Sequence, residues 1–496
     1  MNTFYTLLSV LLMLCFLPAA LLLSAYSLNL CYLLIVTLSK RTKPTTEIAL
    51  SEFPHVTVQL PLYNERYVSR RVIDAVAQLD YPLDKLTIQV LDDSTDDTTQ
   101  IVTEAAAYWL KQGRDIQHIR RPNREGYKAG ALAYGLQFVQ SEYIAIFDAD
   151  FVPPPDFLKK SLPPLIADPK AAFIQTRWEH LNAQQGWLTR LQAIAVDSHF
   201  SIEQQGRAQS GMPFNFNGTA GLWRRAAIQV AGGWMARTLT EDLDLSYRAW
   251  LSGWHALYRS EISVPAELPP TMSAYKRQQA RWAQGSLACA RLLLSELWRS
   301  CLPIGSKLQA TIHLLSYLVG PTTMLIAIAY TLVLLLLPRE VWLNLPFVQY
   351  AATLSPFTFV PLIYLMISQL LLRRSWQTLP YTVVLQVVSS GLAITIARAA
   401  VKGLLGWHSE FLRTPKWGGT APTVSAYQLH ADSGTPLEVA WGAFCLLTAA
   451  LAAWHGHLFF VFYGLMLCIG SWTVAFYTLL PGWQAALKRQ HATRSR

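Results

Sequence analysis

Charged residues are scarce in this sequence: Asp, Glu, Lys and Arg make up 15% of its 496 residues, while 52% are hydrophobic. In ordinary soluble domains about a quarter of the residues are charged, so this composition excludes an ordinary soluble enzyme. Cysteine is also rare, with six residues scattered along the chain and no Cys-x-x-Cys pair. Neither a zinc site nor a disulfide framework is therefore indicated.

The apolar residues are concentrated in long runs without a charged side chain. A helix of roughly 20 apolar residues crosses a bilayer, and each run is at least that long. The last run is long enough to cross twice, with a turn at residues 454–457. The runs are residues 4–38, 309–338, 341–372 and 439–487. They predict five membrane spans.

A further uncharged stretch, residues 375–397, carries polar side chains such as Gln377 and Gln386 and ends beside Arg398. We interpret it as an interfacial helix. Basic clusters follow the first and third spans and form the C-terminal tail. With five spans and an outer N-terminus, all three clusters lie in the cytoplasm, as the positive-inside rule requires.

The prediction is an integral multi-pass protein of a plasma or inner membrane, with its largest soluble segment in the cytoplasm. Its partners include the lipid bilayer. The net charge of +10 is explained by the basic flanks of the spans, which meet anionic lipid. No nucleic-acid partner is predicted, because no basic stretch interleaves with aromatic residues.

Residues 43–302 alternate between strand and helix patterns, which is typical of a doubly wound, mostly parallel α/β sheet. Strands are predicted from Val56, at residues 86–91 and at residues 143–147, with helices at residues 67–79, 98–111 and 129–138. Two of the strands are followed directly by acids, Asp92-Asp93 and Asp148-Ala149-Asp150. Because the carboxyl ends of parallel strands meet at one edge, we expect these acids to lie close together.

Asp148 and Asp150 have the spacing of a cation site. Carboxylates two positions apart on an extended chain point the same way, and their oxygens suit a divalent cation that also holds a diphosphate. The basic loop at residues 120–130 opens a helix, and cations at a helix N-terminus favour phosphate. We therefore predict a metal and nucleotide-sugar site. The alternatives are a solvated turn after the strand and a solvated basic loop.

Three later segments carry further candidate residues. Residues 214–221 form a small, turn-rich loop that a ligand could approach. Thr240-Glu241-Asp242 opens a helix at residues 243–251, where the acids could instead only complement the helix dipole. Residues 275–285 begin an amphipathic helix, for which a membrane-surface helix is the alternative interpretation.

Four of these motifs together resemble the motif set of processive family 2 glycosyltransferases, which include cellulose, hyaluronan and chitin synthases. They are Asp92-Asp93, Asp148-Ala149-Asp150, Thr240-Glu241-Asp242 and Gln278-Gln279-Ala280-Arg281-Trp282. Residues 197–204, 216–224, 231–234 and 241–245 resemble cellulose-synthase-like A and C enzymes, which make mannan or glucomannan and the glucan backbone of xyloglucan. The resemblance covers residues 54–302 and, more loosely, the spans.

The resemblance implies a GT-A type α/β catalytic domain inserted between helical membrane spans. The expected division is an N-terminal span (1–42), the catalytic domain with a closing amphipathic helix (43–302), two spans (303–374), an interfacial helix with a loop (375–436), and two spans with a basic tail (437–496).

The resemblance also implies roles for individual residues. Asp242 is the expected general base, with Glu241 beside it. Asp148 and Asp150 are expected to hold Mg²⁺ or Mn²⁺. The expected nucleotide-sugar ligands are Tyr63, Glu65, Asp92, Asp93, Lys128, Asp148, Gln278 and Arg281, and the expected acceptor contacts are Asn217, Gly218, Thr219 and Trp282. An inverting transfer needs such a base and a cationic clamp on the leaving group, but no covalent nucleophile.

A weaker match lies at residues 411–416, which resemble the gating loop of cellulose synthases, Phe-x-Val-Thr-x-Lys. Phe411, Thr414 and Lys416 match that pattern, while Arg413 replaces the valine and Pro415 precedes the lysine. The alternative is an ordinary juxtamembrane basic loop.

The leading hypothesis is a synthase that polymerises a β-linked, β-1,4 glucan or (gluco)mannan and passes it across the membrane. The growing polysaccharide is then the acceptor. The donor is UDP-glucose or GDP-mannose, with UDP-glucose preferred. One alternative is a glucosyltransferase acting on a membrane lipid, diacylglycerol or ceramide. Another is a channel with a degenerate catalytic domain, although that predicts missing acids and all are present.

Overall fold

The computed structural model describes residues 3–39, 52–343, 359–407, 409, 416–418 and 433–494. Seven strands of its central segment form one sheet. They are β1 (Val56–Leu62), β2 (Leu86–Asp92), β3 (Asp115–Ile119), β4 (Tyr143–Ile146), β5 (Ala171–His180), β6 (Gly221–Arg224) and β7 (His255–Ala266). Their order is β3-β2-β1-β4-β6-β5-β7, and only β6 runs antiparallel to its neighbours. The predicted mostly parallel, doubly wound sheet is confirmed.

Helices cover both faces of this sheet, as a parallel sheet with buried central strands requires. All seven residues of β2 and all four of β4 are buried. Helix α1 (Thr3–Ser39) precedes the sheet. The helices within the domain are α2 (Ser69–Ala77), α3 (Thr98–Lys111), α4 (Tyr127–Leu136), α5 (Phe157–Ala167), α6 (Trp187–Ser198), α7 (Gln205–Ser210), α8 (Arg225–Val230), α9 (Glu241–Leu251) and α10 (Met272–Arg299), with a π-helical turn at His199–Gln204.

The register of the strands brings their carboxyl ends together. Leu62, the last residue of β1, lies beside Asp92, the last residue of β2, and Asp93 N donates to Leu62 O at 3.0 Å. Strand β4 pairs with the other side of β1, and Phe147 N donates to Gln59 O at 3.2 Å. The loops after β1, β2 and β4 therefore share one edge of the sheet, as predicted.

The helices after the domain are mostly apolar. They are α11 (Ile304–Leu314), α12 (Val319–Leu336), α13 (Arg339–Trp342), α14 (Val360–Leu371), α15 (Leu379–Gly391), α16 (Ala393–Leu405), α17 (Thr435–Trp454) and α18 (Leu458–Arg494). Four stretches of the described residues are long and apolar enough to cross a membrane: Tyr5–Ser39, Ser316–Leu336, Thr435–Trp454 and Leu458–Gln484. The chain is an integral multi-pass membrane protein.

Residues 375–397 do not form the single helix that the sequence predicted. Helices α15 and α16 replace it and meet at an angle of 52°. Ser390 Oγ donates to Val387 O at 2.7 Å just before the bend, and Gly391 ends α15. Serine side chains that bond to the backbone beside glycine are a recognised cause of helix breaks. The third predicted span, residues 341–372, lies partly outside the described residues, and its described part contains α14.

Candidate active site

A pocket at the carboxyl edge of the sheet gathers residues from distant parts of the chain. The loops after β1, β2 and β4 contribute to it, together with α4, α10 and Lys416. Its lining comprises Pro61, Leu62, Tyr63, Glu65, Asp93, Arg124, Lys128, Ala131, Asp148, Ala149, Asp150, Gln278, Arg281 and Lys416. The fold thus joins the acids at the strand ends to the beginning of α10.

Lys128 lies at the centre of the charged groups around this pocket. It is in the first turn of α4, and its Nζ donates to Asp148 Oδ1 at 2.6 Å and to Gly218 O at 2.9 Å. Glu241 Oε1 is 3.8 Å from the same nitrogen. Burial opposes its charge, but Asp148 and Glu241 outweigh burial and raise the pKa of Lys128. Lys128 therefore stays cationic between the strand-end acids and the Glu241-Asp242 pair.

Asp148 and Asp150 are held differently. Asp148 N donates to Thr219 Oγ1 at 2.9 Å, which fixes the turn after β4. Asp150 is 2% exposed and forms an ion pair with Lys416 Nζ at 2.5 Å. Burial raises the pKa of Asp150 despite that ion pair. A cation near Asp150 therefore stabilises its charged form.

The two carboxylates fit the expected divalent cation. Among the residues that the structure describes, no three His, Cys, Asp or Glu side chains are grouped as a complete metal cage. Mg²⁺ in nucleotide sites is held by one or two carboxylates together with substrate phosphates, so a pair of acids facing a pocket is sufficient. Lys128 and Lys416 pair with these acids and balance their charge.

Asp92 does not reach the pocket, although the sequence motif placed it there. It is 1% exposed, with Oδ2 3.0 Å from His118 Nε2 and Oδ1 accepting from Ser94 N at 2.9 Å. Burial alone would raise its pKa, but the bonds from His118 and Ser94 lower the pKa of Asp92. Asp93 does line the pocket, where Arg121 Nη2 lies 2.6 Å from its carboxylate.

Arg124 is a pocket residue that the sequence prediction did not name. Its guanidinium carbon lies 3.4 Å from the ring centroid of Tyr63, and both residues line the pocket. Such stacking holds a guanidinium in place while its edge remains available for hydrogen bonds. The sequence identified the basic loop at residues 120–130 as a candidate phosphate site. It did not show which arginine of the loop faces the pocket. Arg120 and Arg121 bind Ser94 O and Asp93 instead.

Asp242 is a partly buried acid in the first turn of α9. Gly218 lies directly against it: a Cβ at that position would be 2.9 Å from Asp242 Oδ2, and the backbone there has φ +82°. Burial and the neighbouring Glu241 raise the pKa of Asp242 to about 7, whereas Lys128 and Arg281 act in the opposite direction. A carboxylate with a pKa near neutrality is suited to general base chemistry.

Residues 54–285, which include Asp242 and every pocket residue except Lys416, match the protein family described as glycosyltransferase like family 2. The chain carries a family 2 glycosyltransferase domain. That assignment agrees with the resemblance in the four motifs and accounts for acids at the ends of β2 and β4.

Relatives of this glycosyltransferase domain have been named in plants. Glucomannan 4-beta-mannosyltransferase 2 of Arabidopsis thaliana is 46% identical over 258 residues, which is 51% of this chain and 48% of that protein. Probable glucomannan 4-beta-mannosyltransferase 7 of Oryza sativa subsp. japonica is 37% identical over 390 residues, or 78% of this chain and 64% of that protein. The chain thus spans about half to two thirds of the length of these relatives.

A solved structure shares the fold of the glycosyltransferase. The mannosyltransferase PcManGT from Pyrobaculum calidifontis, in complex with GDP-Man and Mn²⁺, has a TM-score of 0.51 and 19% identity to this chain. The match covers 81% of this chain and 99% of that one. At this identity it supports the GT-A type architecture, not the chemistry.

The four residues predicted to bind the acceptor have different surroundings and do not form one site. Gly218 faces Asp242, but Thr219 is fully buried and its hydroxyl accepts from Asp148 N. The Asn217 side chain accepts from Gln204 Nε2 at 2.5 Å and lies 3.1 Å from His199 Nε2. Trp282 follows Arg281 on α10 and is partly buried. Asn217 and Thr219 therefore support the loop that carries Gly218.

Only part of the gating-like motif can be placed. Phe411, Arg413 and Thr414 lie outside the described residues, whereas Lys416 lines the pocket. Trp417 N and Gly418 N donate to Glu267 Oε2 at 3.1 and 3.2 Å. Glu267 Oε1 in turn lies 2.8 Å from Arg71 Nη1. Residues 416–418 are thus held at the edge of the pocket.

Replacing Gly285 by alanine is expected to lower the transfer rate at least about tenfold. A Cβ at position 285 would overlap the side chain of Thr240, which precedes Glu241 and Asp242. Moving α9 away by a fraction of an ångström misplaces Asp242, the expected base, and misplacement of about 1 Å costs up to about 100-fold in rate. The measurement is kcat for the purified variant.

The matched control is Gly305→Ala, because a Cβ there meets only the flexible end of Met212 at 3.6 Å. The control is expected to keep the wild-type rate. Equal rates for both variants would show that the contact between α10 and α9 does not position Asp242 for transfer.

Proposed function

We propose that the protein is a membrane-embedded, inverting mannosyltransferase that extends a β-1,4-linked mannan or glucomannan from GDP-mannose. The observation that carries this proposal is Asp242, a partly buried acid with a pKa of about 7. Its neighbour Glu241 lies 3.8 Å from Lys128, which also pairs with Asp148 of the pocket. The names of the plant relatives favour mannose. GDP-mannose therefore replaces UDP-glucose as the preferred donor.

In this proposal Asp242 accepts the proton of the acceptor hydroxyl as that oxygen attacks the anomeric carbon. Lys128, Arg124 and Arg281 face the pocket and stabilise the negative charge that develops on the departing diphosphate. Tyr63 and Glu65 hold the nucleoside end of the donor. Asp148 and Asp150 would hold Mg²⁺ or Mn²⁺, which supplies electrostatic stabilisation of the diphosphate.

A cavity among the membrane helices supports a polymer as the acceptor. Helices α1, α12, α15, α16 and α18 contribute to it, together with Tyr317 between α11 and α12 and Pro361 in α14. Hydroxyl and amide groups interrupt its apolar lining at Ser24, Tyr26, Ser27, Ser316, Tyr317, Thr323, Gln386, Ser389, Ser390 and Tyr463. Such groups bind sugar hydroxyls, whereas an acyl chain needs none of them. We therefore propose that the growing chain passes through this cavity.

The membrane orientation is part of the same proposal. The domain lies in the cytoplasm, where nucleotide sugars are made, and the membrane is the plasma or inner membrane. Basic residues after the first and third spans and in the tail support this orientation.

The proposal is tested by offering the purified protein in nanodiscs radiolabelled GDP-mannose or UDP-glucose, each with Mn²⁺, with Mg²⁺ or with EDTA. We expect metal-dependent incorporation from GDP-mannose into high-mass material that an endo-β-1,4-mannanase digests. Incorporation from UDP-glucose alone would overturn the donor assignment. Label confined to a chloroform-soluble glycolipid would overturn the polymer and favour the lipid acceptor.

The pH dependence of kcat/KM is expected to have an acidic limb near pH 7. Asp242 acts as a base only when it is deprotonated, and its pKa in the folded protein is raised to about 7. Activity is therefore retained above pH 7 and falls about tenfold per pH unit below it. Transfer measured between pH 5 and 9 tests this, with GDP affinity at each pH as the control. A limb near pH 4 would contradict the assigned environment of the base.

A further inference from the structure

Helix α10 has two faces with different partners. Gln278 and Arg281 line the nucleotide-sugar pocket, whereas Lys276 is 2% exposed and faces the membrane helices. Residues two positions apart on a helix are separated by about 200° around its axis. The charged end of Lys276 is thus directed away from the pocket that its neighbours line.

Lys276 meets a carboxylate that belongs to a membrane span. Its Nζ lies 2.7 Å from Glu438 Oε1, and the exposed fractions of the two side chains are 2% and 0%. Glu438 is in the first turn of α17, within the candidate span Thr435–Trp454. Buried charges at membrane depth are costly and occur where they are paired or functional.

The same glutamate connects further helices. Thr395 of α16 donates to Glu438 Oε1 at 3.0 Å, and Ser471 of α18 donates to Glu438 O at 3.1 Å. Glu438 Oε2 has no hydrogen-bond partner within the described part of the chain. The charge of this carboxylate is therefore balanced by Lys276, and loss of Lys276 removes that balance from a fully buried acid.

The other contacts of α10 explain how its position affects the pocket. Gly403 of α16 packs so closely that a Cβ there would be 2.5 Å from Gln284 O, and Gln284 Nε2 donates to Trp407 O at 3.0 Å. Gly285, the next residue, packs against Thr240 beside the catalytic pair. A shift of α10 relative to the membrane helices therefore changes both the pocket wall and the base.

We propose that the Lys276–Glu438 ion pair is a positioning device that fixes α10, and with it Gln278 and Arg281, against the membrane helices. It rests on the proposed function, because the chemistry that it supports is the transfer from GDP-mannose. Lys276 and Glu438 touch no donor group in this proposal. Their effect is on kcat, since Gln278 and Arg281 meet the leaving group, whereas the strand loops bind the nucleotide.

The test compares Lys276→Met, Glu438→Gln and the exchanged pair Lys276→Glu/Glu438→Lys in nanodiscs. We expect each single variant to lower kcat about 10- to 100-fold with KM for GDP-mannose within threefold, and the exchanged pair to recover most of the loss. Glu296→Gln, an exposed acid on the same helix, is the matched control and is expected to keep wild-type kinetics. Wild-type kcat in the single variants, or no recovery in the exchanged pair, would overturn the proposal.

Two additional measurements test the ion pair even if the single variants do not fold or the donor is not GDP-mannose. If the single variants do not fold, Glu438→Asp keeps the charge but retracts the carboxylate; a lowered kcat supports the proposal and a wild-type kcat contradicts it. Thermal unfolding of wild type, Lys276→Met, Glu438→Gln and the combined Lys276→Met/Glu438→Gln variant needs no donor. Coupled effects of the two substitutions on the unfolding temperature support the ion pair, and additive effects contradict it. A wild-type protein inactive with GDP-mannose would instead contradict the proposed function, and the unfolding cycle would still decide this inference.

Discussion

Replacing Asp242 by asparagine is expected to lower kcat for sugar transfer at least about 1,000-fold, within the range that general bases contribute. Asparagine keeps the size of the side chain and can occupy the same space beside Gly218. It cannot accept the proton of the acceptor hydroxyl. The acceptor oxygen then attacks as a neutral hydroxyl, which is a much weaker nucleophile.

Asp242→Asn is measured by transfer kinetics, with GDP binding as the test that the pocket remains intact. We expect the GDP dissociation constant to stay within about threefold of wild type, because the pocket lining does not include Asp242. Asp80→Asn is the matched control, since Asp80 pairs with Lys159 at 2.6 Å outside the pocket lining. A variant that retains a tenth of wild-type activity would show that another group takes the proton.

Replacing Lys128 by methionine is expected to lower kcat/KM at least about 100-fold, the loss typical of removing one preorganised donor to a developing charge. The ammonium group lies 2.6 Å from Asp148 and 3.8 Å from Glu241, so its removal leaves these acids without their shared cation. Lys128 also lowers the pKa of Asp242. Its loss therefore raises that pKa further, and the acidic limb of the pH profile moves above pH 7.

The direction of the pH shift separates this role from simple phosphate binding. Lys128→Arg retains the positive charge and is expected to keep the limb near pH 7, while Lys159→Met removes an exposed lysine and should change nothing. A Lys128→Met variant with reduced activity but an unmoved limb would place Lys128 on the diphosphate alone.

A large part of the site was predicted from the sequence, because several of its acids directly follow predicted strands. Asp93, Asp148 and Asp150 follow buried strands, and parallel pairing brings such positions to one edge whatever the details of packing. The order of strands and helices similarly predicted the sheet. The spacing of apolar residues in buried strands and helices is set by neighbouring residues, so it can be read directly from the sequence.

Side-chain direction was harder to predict, because it depends on tertiary contacts. Asp92 and Asp93 are adjacent, yet His118 holds Asp92 inside the domain while Asp93 faces the pocket. Thr219 was expected to meet the acceptor, but it supports the backbone of Asp148. The sequence did not distinguish Arg124 from the other basic residues of its loop.

No sequence pattern predicted the contacts between distant segments. Lys416 reaches Asp150 across 266 positions of sequence, and Glu438 was one acid at the edge of an apolar run. The resemblance to a gating motif pointed to Lys416, whereas no motif pointed to Glu438. Its partner became apparent only from the packing of α10 against the membrane helices.

The most direct test of Asp242 as the base of an inverting transfer is the stereochemistry of a single transfer. The purified protein would be given GDP-mannose, in which mannose is α-linked, and a short β-1,4-mannan oligosaccharide, and the new linkage determined by NMR. We expect one added mannose in β-1,4 linkage, formed by wild type and not by Asp242→Asn. An α-linked product, or equal product from the variant, would contradict an inverting transfer with Asp242 as its base.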